Sequence, residues 1–311
     1  MNPHVVVAGL AVVDIIGKPV NLRRPPKKGG LQQIDLLTVT TGGNVSNVGI
    51  DLVKLGFRVA AITRVGNDSL GRFLLQEFEE HGLETSGVFV DQDAQTSATF
   101  VSVDGAGERT FFHTRGCMAR FRARDVLAHM RLVGGAEWFV FGYLGLLPEI
   151  HKDLPSLFRT IRKRTGCRIL LDTGGVPPRM NRRALAELLS SVDCFVPSFE
   201  EAVRLTGEKT AETIIRAFRA AGARGIVGVK LGAKGCYVAE EDRGMYIPAR
   251  RVRSVVDTTG AGDAFVAGFV GSLIKGRDAF DAARIANAVA ASCVTAVGAS
   301  TAIRKFETYL P

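Results

Sequence analysis

The run Asp257-Thr258-Thr259-Gly260-Ala261-Gly262-Asp263 holds the residues best suited to do chemistry together. The β-branched stretch Val252–Val256 leads into it and reads as a strand. Beyond it, Phe265, Phe269 and Leu273 repeat at helical spacing, with Ala264, Gly268 and Gly271 on the other face. Two glycines at a helix start leave backbone N–H groups free and unshielded. With the positive end of the helix dipole they make an anion site. Such donors stabilise the peripheral oxygens of a phosphoryl group in transfer. Asp263 falls in the first helical turn. There a carboxylate is electrostatically favoured and can accept the proton of an attacking hydroxyl. Taken alone, the pattern fits a tight turn with a helix-start carboxylate equally well. The small-residue face implies close packing, so Gly268 and Gly271 are not counted as site residues.

A second glycine motif, Thr41-Gly42-Gly43-Asn44-Val45-Ser46-Asn47, opens an earlier helix. Gly42 and Gly43 let a ligand approach the backbone, and Asn44 is a candidate N-cap. Asn47, one turn on, offers a donor and an acceptor that suit sugar hydroxyls. A capped helix after a glycine turn explains the motif as well. Asp14, in Gly9-Leu10-Ala11-Val12-Val13-Asp14, follows the first strand. It can accept two hydroxyl protons from a polyol or simply shape a turn.

Alternating strands and helices must position these groups. Val5–Ala8, Arg58–Val65, Trp138–Phe141, Arg168–Leu171, Cys194–Val196 and Gly225–Val229 read as strands. Helices are expected from Asn44 to Leu55, from Ser69 to His81, and near 149–165, 181–190, 199–206, 210–221, 261–275 and 279–296. Gly235–Ala239 and Gly244–Ile247 are two further short strands. Repeated strand–helix units predict a mostly parallel sheet with helices on both faces. Ligands in such sheets bind beyond the carboxyl ends of the strands. The stretches near 17–38 and 86–115 break the rhythm. The second contains the short strands Val88–Val90, Ala98–Val103 and Arg109–His113, with Gly105-Ala106-Gly107 turning between the last two. These stretches predict a small β appendage able to act as a lid.

The 311 residues are 46% hydrophobic and 23% charged, a globular composition that excludes a disordered or collagen-like chain. Cysteines at 117, 167, 194, 236 and 293 form no CxxC pair and suit reduced thiols in the cytoplasm. The N-terminus lacks a basic region and a long apolar run, so no signal peptide is expected. No apolar stretch approaches the roughly 20 residues of a membrane span. The net charge of +9 suits a polyanion or a small phosphorylated ligand. The densest basic cluster, Arg159, Arg162, Lys163, Arg164 and Arg168, has helical spacing and reads as a solvated face. Without a basic surface interleaved with aromatics, nucleic-acid binding is not expected.

The two glycine motifs together resemble the signatures of the ribokinase-like (PfkB) family of carbohydrate kinases. Gly42 through Arg64-Val65-Gly66-Asn67-Asp68 is similar to the N-terminal signature, and Asp257 to Val270 to the C-terminal one. Segment order and length also match. The resemblance implies one ribokinase-like α/β domain over 1–311 and transfer of the γ-phosphoryl group of ATP to a sugar hydroxyl. It assigns Asp263 as base and the amides of Gly260, Ala261 and Gly262 as anion hole. Asp14, Gly42, Gly43 and Asn47 would hold the acceptor. Lys230-Leu231-Gly232-Ala233-Lys234-Gly235 resembles the nucleotide loop, placing Lys230, Gly232 and Gly235 near ATP, and Asn287 matches the adenine pocket. In Pro197-Ser198-Phe199-Glu200-Glu201, Ser198 stands where the family usually has Asn. Glu201 keeps the acidic position that organises Mg²⁺ through water. The carbonyls of Asp257, Thr259, Cys293, Ala296 and Gly298 match a K⁺ site found in many relatives.

The lid segments Thr99–Val103 and Arg109–Arg115 are expected over the acceptor, excluding water. Phe100 and Phe112 either pack on the acceptor or belong to the core. His113 and Arg115 either meet an acidic group or lie at a solvated edge. Asp172-Thr173-Gly174-Gly175-Val176 departs from the Asp-Pro-Asn-x-Arg stretch of kinases of 2-keto-3-deoxygluconate, which favours a free sugar such as ribose or fructose. A phosphosugar, a keto-deoxy acid or a nucleoside stays open, as does a non-catalytic sugar or nucleotide sensor on the same fold. Relatives often pair through their lids, which suggests a homodimer.

Overall fold

The computed structural model describes residues 1–175 and 180–310. Strands β1 (Val5–Ala8), β2 (Val12–Lys18) and β3 (Leu36–Gly42) come first, followed by helix α1 (Gly43–Lys54). Next are β4 (Val59–Gly66), α2 (Ser69–Glu80), β5 (Glu84–Asp91) and the hairpin β6 (Ala98–Val103) with β7 (Arg109–Thr114). Two short helices, α3 (Ala123–Leu127) and α4 (Met130–Gly134), precede β8 (Trp138–Phe141), α5 (Leu154–Thr165) and β9 (Arg168–Leu171). Then follow α6 (Arg182–Leu189), β10 (Cys194–Phe195), α7 (Phe199–Thr206), α8 (Ala211–Ala220) and β11 (Ile226–Lys230). The pair β12 (Cys236–Glu240) and β13 (Arg243–Ile247) leads to α9 (Ala261–Ile274) and α10 (Ala279–Cys293).

One large sheet has the order β13-β12-β11-β10-β9-β8-β1-β4-β5, parallel from β11 to β5 and antiparallel at β12 and β13. Its central strands are continuous apolar runs because both faces are covered. Val5 and Val7 join a core closed by α1, α2, α9 and α10. Val6 and Ala8 join the opposite core, closed by α5, α6 and α8. A second, small sheet has the order β3-β2-β6-β7.

Two expectations change. Val88–Val90 is not part of the appendage: it lies within β5, which pairs parallel with β4 at the edge of the large sheet. It completes a β4–α2–β5 crossover, so the appendage begins only at β6. The appendage's other half comes from β2 and β3 at the ends of the 17–38 stretch. Val252–Val256 forms no strand. Val255 and Val256 are exposed there, and the Val256 N–H is anchored on Val294 O at 2.8 Å. β-branched composition alone does not make a strand without a neighbour to pair with.

The small-residue face of α9 does pack closely: a Cβ on Gly268 would meet Val289, and one on Gly271 would meet Phe57. The basic cluster on α5 is a solvated face, with Arg162 paired to Asp193 at 2.8 Å. Among the described residues, all five cysteines are buried free thiols, and no helix is long and apolar enough to cross a membrane.

Candidate active site

The start of α9 faces a cleft bordered by the carboxyl ends of β8, β9 and β11. Gly260 caps the helix at φ 76°, and a Cβ on it would stand 2.4 Å from the Ala299 methyl. Both the left-handed backbone and the lack of room require glycine. The first helical bond runs from the Ala264 N–H to Gly260 O at 2.8 Å, and the Ala261 N–H reaches Thr258 O at 3.3 Å. The N–H groups of Gly260, Gly262 and Asp263 donate to no acceptor among the described residues. The expected cradle is therefore shifted: Ala261 is engaged, while the Asp263 amide joins the free donors.

The Asp263 carboxyl is 4% exposed. Its Oδ2 accepts from Asn47 Nδ2 at 2.8 Å and from the Tyr143 hydroxyl at 3.0 Å. Oδ1 accepts no bond among the described residues. Burial raises this carboxyl, and the two donors and Lys230 hold the rise back. A carboxylate whose affinity for a proton is raised in this way suits proton abstraction.

Lys230, at the end of β11, donates to Asp172 Oδ2 at 2.7 Å. Burial works against its charge, but Asp172 and Glu201 outweigh it and keep the ammonium protonated. Asp172 is pushed up to about 7 by burial, against the pull of Lys230. A Cβ on Gly262 would lie 3.5 Å from the Lys230 ammonium, so the cation sits beside the cradle.

A second cleft of about 590 Å³ adjoins the first and shares Lys230, Gly232, Ala261 and Gly262 with it. It is lined also by Gly235, Ala249, Val252, Val255, Phe265, Asn287 and Val294. This apolar slot fits a flat base beside the anion cradle. All the residues expected at the nucleotide except Ser198 border it. Asn287 Nδ2 is spent on the Ile247 and Pro248 carbonyls, both at 3.1 Å. That pins the loop after β13, while the Asn287 side-chain oxygen has no partner among the described residues.

Ser198 borders the first cleft and caps α7. Its Oγ accepts the Glu201 N–H at 3.4 Å, while Glu201 Oε2 accepts the Ser198 N–H at 2.8 Å. Glu201 Oε2 also takes the Thr173 hydroxyl at 2.5 Å. Glu201 Oε1 accepts no bond among the described residues. No group of three or more His, Cys, Asp or Glu side chains able to hold a metal occurs among them. Such a site fits a Mg²⁺ ion that arrives with a nucleotide and keeps its waters.

Asp257, Thr259, Cys293 and Gly298, whose carbonyls were expected to hold K⁺, are linked to one another by hydrogen bonds, with Ala296 in the same loop. Asp257 accepts the N–H of Thr259 at 2.9 Å and of Gly298 at 3.1 Å. The Cys293 thiol donates weakly to Thr259 O at 3.3 Å. These contacts fix the loop whose carbonyls were expected to ligate.

On the acceptor side, Gly42 gives Asp14 room: a Cβ on Gly42 would come within 2.4 Å of Asp14 Oδ2. Gly43 passes close to Leu10 O in the same way. Asn44 is not the N-cap, since α1 begins at Gly43. It is buried, accepting the Leu10 N–H at 2.9 Å and donating to Ala8 O at 2.9 Å, and so locks α1 to the end of β1.

Asp14, Thr99 and His113 are in register across β2, β6 and β7, so they share one face of the small sheet. Burial raises Asp14 to about 6, eased by the Thr99 hydroxyl. Burial and Arg115 lower His113. Phe100 and Phe112, read as packing either on an acceptor or in the core, fall on the opposite face by strand alternation, and Phe112 is 53% exposed. The Asp172–Gly175 stretch borders the first cleft, and Val176 lies outside the described residues.

Two contributors have no clear local signal in the sequence. Tyr143 is one; its place just past β8, a strand's carboxyl end, is the only hint. Arg109 at the start of β7 is the other. It reaches Asp257 Oδ1 at 2.6 Å and also bonds the Thr259 hydroxyl, tying the small sheet to the cradle loop.

Free amides at a helix start, a neighbouring lysine and a buried carboxylate define a phosphotransfer site. Residues 2–305 match the model of the pfkB family carbohydrate kinases. The chain belongs to that family and is an ATP-dependent carbohydrate kinase. It is 30% identical to the 2-dehydro-3-deoxygluconokinase of Bacillus subtilis over 278 residues, 87% of this chain and 85% of that one. It is 29% identical to the ribokinase of Haemophilus influenzae, over 85% of this chain and 84% of that one. The structure of Arabidopsis thaliana ribokinase complexed with ribose and ATP superimposes with a TM-score of 0.87. Its identity is 25%, over 99% of this chain and 98% of that one.

Proposed function

We propose that this kinase transfers the γ-phosphoryl group of MgATP to a primary hydroxyl of a small neutral sugar of the ribose or fructose type. One juxtaposition supports the reading: the free N–H groups of the α9 start, the Lys230 ammonium and the Asp263 carboxyl border one cleft. The nucleotide lies along Lys230–Gly235, with its base beside Asn287 and its γ-phosphate over Gly260–Gly262. The sugar lies over Gly42, Gly43, Asn47 and Asp14. Asp263 takes the hydroxyl proton as the new P–O bond forms. Amides, helix dipole and Lys230 stabilise the charge on the transferring group, where one such donor contributes about 10²–10³ in rate.

Glu201 would hold Mg²⁺ through water, and Ser198 borders the phosphates without the reach of an asparagine. Bound Mg²⁺ neutralises charge on the phosphate oxygens. The carbonyls of Asp257, Thr259, Cys293, Ala296 and Gly298 would hold K⁺ behind the cradle.

A neutral acceptor is favoured because Asp14 and Asp263 flank its place. Two of the nearby cations are engaged, Lys230 with Asp172 and Arg109 with Asp257, and His113 is held toward its neutral form. The 30% identity to a 2-dehydro-3-deoxygluconokinase supports a second reading, a sugar acid. An ADP-release screen over ribose, fructose, their phosphates, 2-keto-3-deoxygluconate and nucleosides separates the two. Exclusive use of the acid or a phosphosugar overturns the neutral-sugar reading, and no ADP release with any of them overturns both. The far face of the lid carries exposed Leu37, Val39 and Phe112, which supports pairing with a second copy through that face. Light scattering of Phe112→Lys against wild type tests it, with loss of a dimer expected. Five buried free thiols suit a cytoplasmic setting.

A further inference from the structure

We propose that Tyr143 is a positioning residue for the base, and that with Asn47 it selects Oδ1 of Asp263 as the oxygen that takes the acceptor's proton. The proposal rests on Asp263 acting as base, as read above. A carboxylate is symmetric until its surroundings distinguish its oxygens. Here Asn47 Nδ2 at 2.8 Å and the Tyr143 hydroxyl at 3.0 Å converge on Oδ2 alone. Two donors occupy the lone pairs of Oδ2 and fix the plane of the carboxylate. Oδ1 carries no donor and is left as the more basic atom. As the acceptor oxygen bonds to the γ-phosphorus and the bond to the ADP oxygen breaks, the hydroxyl proton passes to Oδ1. Oδ2 keeps both donors, now as the carbonyl oxygen of the neutral acid.

The local backbone is arranged around that phenol. Tyr143 has φ 61° and ψ 42°, a left-handed conformation that non-glycine residues seldom adopt. The Leu144 N–H donates to Thr173 O at 2.8 Å, tying the turn after β8 to the end of β9. The ring lies against Gly174, where a Cβ would come within 2.5 Å of it. The unusual backbone at 143 and the missing side chain at 174 both serve to bring the hydroxyl to Oδ2. Burial and the nearby carboxylates push the phenol well above its ordinary range, so it stays a donor.

Tyr143→Phe keeps the ring and removes only the hydroxyl. In ¹³C-aspartate-labelled protein, the Asp263 carboxyl is identified by its absence from Asp263→Asn. In Tyr143→Phe it is expected to titrate roughly one pH unit higher, because a donor to the charged form is gone. Kinetics use MgATP and whichever of D-ribose, D-fructose and 2-keto-3-deoxygluconate turns over best. There kcat is expected to fall roughly 10-fold with its acidic limb moved up, while the KM for ATP holds. An unmoved titration with unchanged kcat overturns the proposal. So does a raised acceptor KM with an unmoved limb, which makes Tyr143 an acceptor contact instead. If Tyr143→Phe behaves as wild type while Asp263→Asn is dead, only this inference falls. An active Asp263→Asn removes the underlying assignment of the base as well.

Discussion

The α9 start and the small sheet are tied together by the Arg109–Asp257 pair, but one is built from consecutive residues and the other from residues far apart in the chain. The cradle's glycine cap, free amides and carboxylate are neighbours in the run Asp257–Asp263, although Arg109, Asn47 and Tyr143 reach it from elsewhere in the chain. The lid's polar row joins Thr40, Asp14, Thr99 and His113 from four strands, and none of these residues suggests its role on its own. The part proposed to stabilise the phosphoryl group is therefore largely fixed locally. The part proposed to meet the acceptor is fixed by pairing register and reaches the first through Arg109.

That difference is broken most directly at the cradle. Asp263→Asn should lower kcat by at least ~10², the range of a general base, with the KM for ATP little changed. Steady-state kinetics across the acceptor panel measures it, and near wild-type turnover would end the assignment. Gly260→Ala comes next. It places a Cβ 2.4 Å from the Ala299 methyl at a φ of 76°, so strain of about 1–3 kcal/mol is expected. Thermal unfolding should show the loss of stability, and turnover should fall through displaced amides. A stable, fully active Gly260→Ala would mean that the cradle is not held by that contact.

On the lid side the expected effect is smaller. Arg109 bonds Asp257 at 2.6 Å, and Asp257 is held down at about 2: burial opposes this, but Arg109 and the Thr259 and Gly298 amides outweigh it. The Arg109 side chain is 32% exposed, so solvent screens the pair and about 1 kcal/mol is a fair upper figure. Arg109→Met should raise the acceptor KM about 5-fold and increase ATP hydrolysis without acceptor, since a looser lid admits water. Unchanged values for both would show that the Arg109 contact does not hold the lid closed.

How much was legible follows the same division. The alternation of strands and helices placed β1, β6, β8, β9 and most helices from apolar periodicity alone. The Asp257–Asp263 and Gly42–Asn47 runs were joined into one site by their resemblance to the two family signatures, since each alone also fits a glycine turn at a helix start. Val252–Val256 and Val88–Val90 were misplaced because a strand's partner and sheet are not written in its own residues. Asn44 read as a cap because a capping asparagine and a buried asparagine bridging a neighbouring strand look alike in sequence. Tyr143 was invisible for the opposite reason: its role comes from a backbone angle and from Gly174 packed against its ring.

Behind the cradle, Asp51 tests whether site and stability are built separately. It is fully buried in α1, one turn past Asn47, and among the described residues both carboxyl oxygens lack a hydrogen-bond partner of good geometry. Burial pushes it well above the ordinary range; Ser300 and Lys54 relieve this in part, and Asp263 adds to it. The sign of the pH dependence follows. In the unfolded chain Asp51 ionises near ~3.9, while in the folded protein it holds its proton to higher pH. Between those values the folded state binds more protons than the unfolded, so stability is full below the lower value and falls as pH rises toward the higher. Asp51→Ala removes the unpaired carboxyl from a helix that favours alanine. It should stabilise the protein by about 1–3 kcal/mol at pH 8 and by little at pH 4, read from urea unfolding at both. A loss of stability at pH 8 would mean that the carboxyl is matched to something that holds α1 against the loop near Ser300, and the cradle would then depend on distant residues as the lid does.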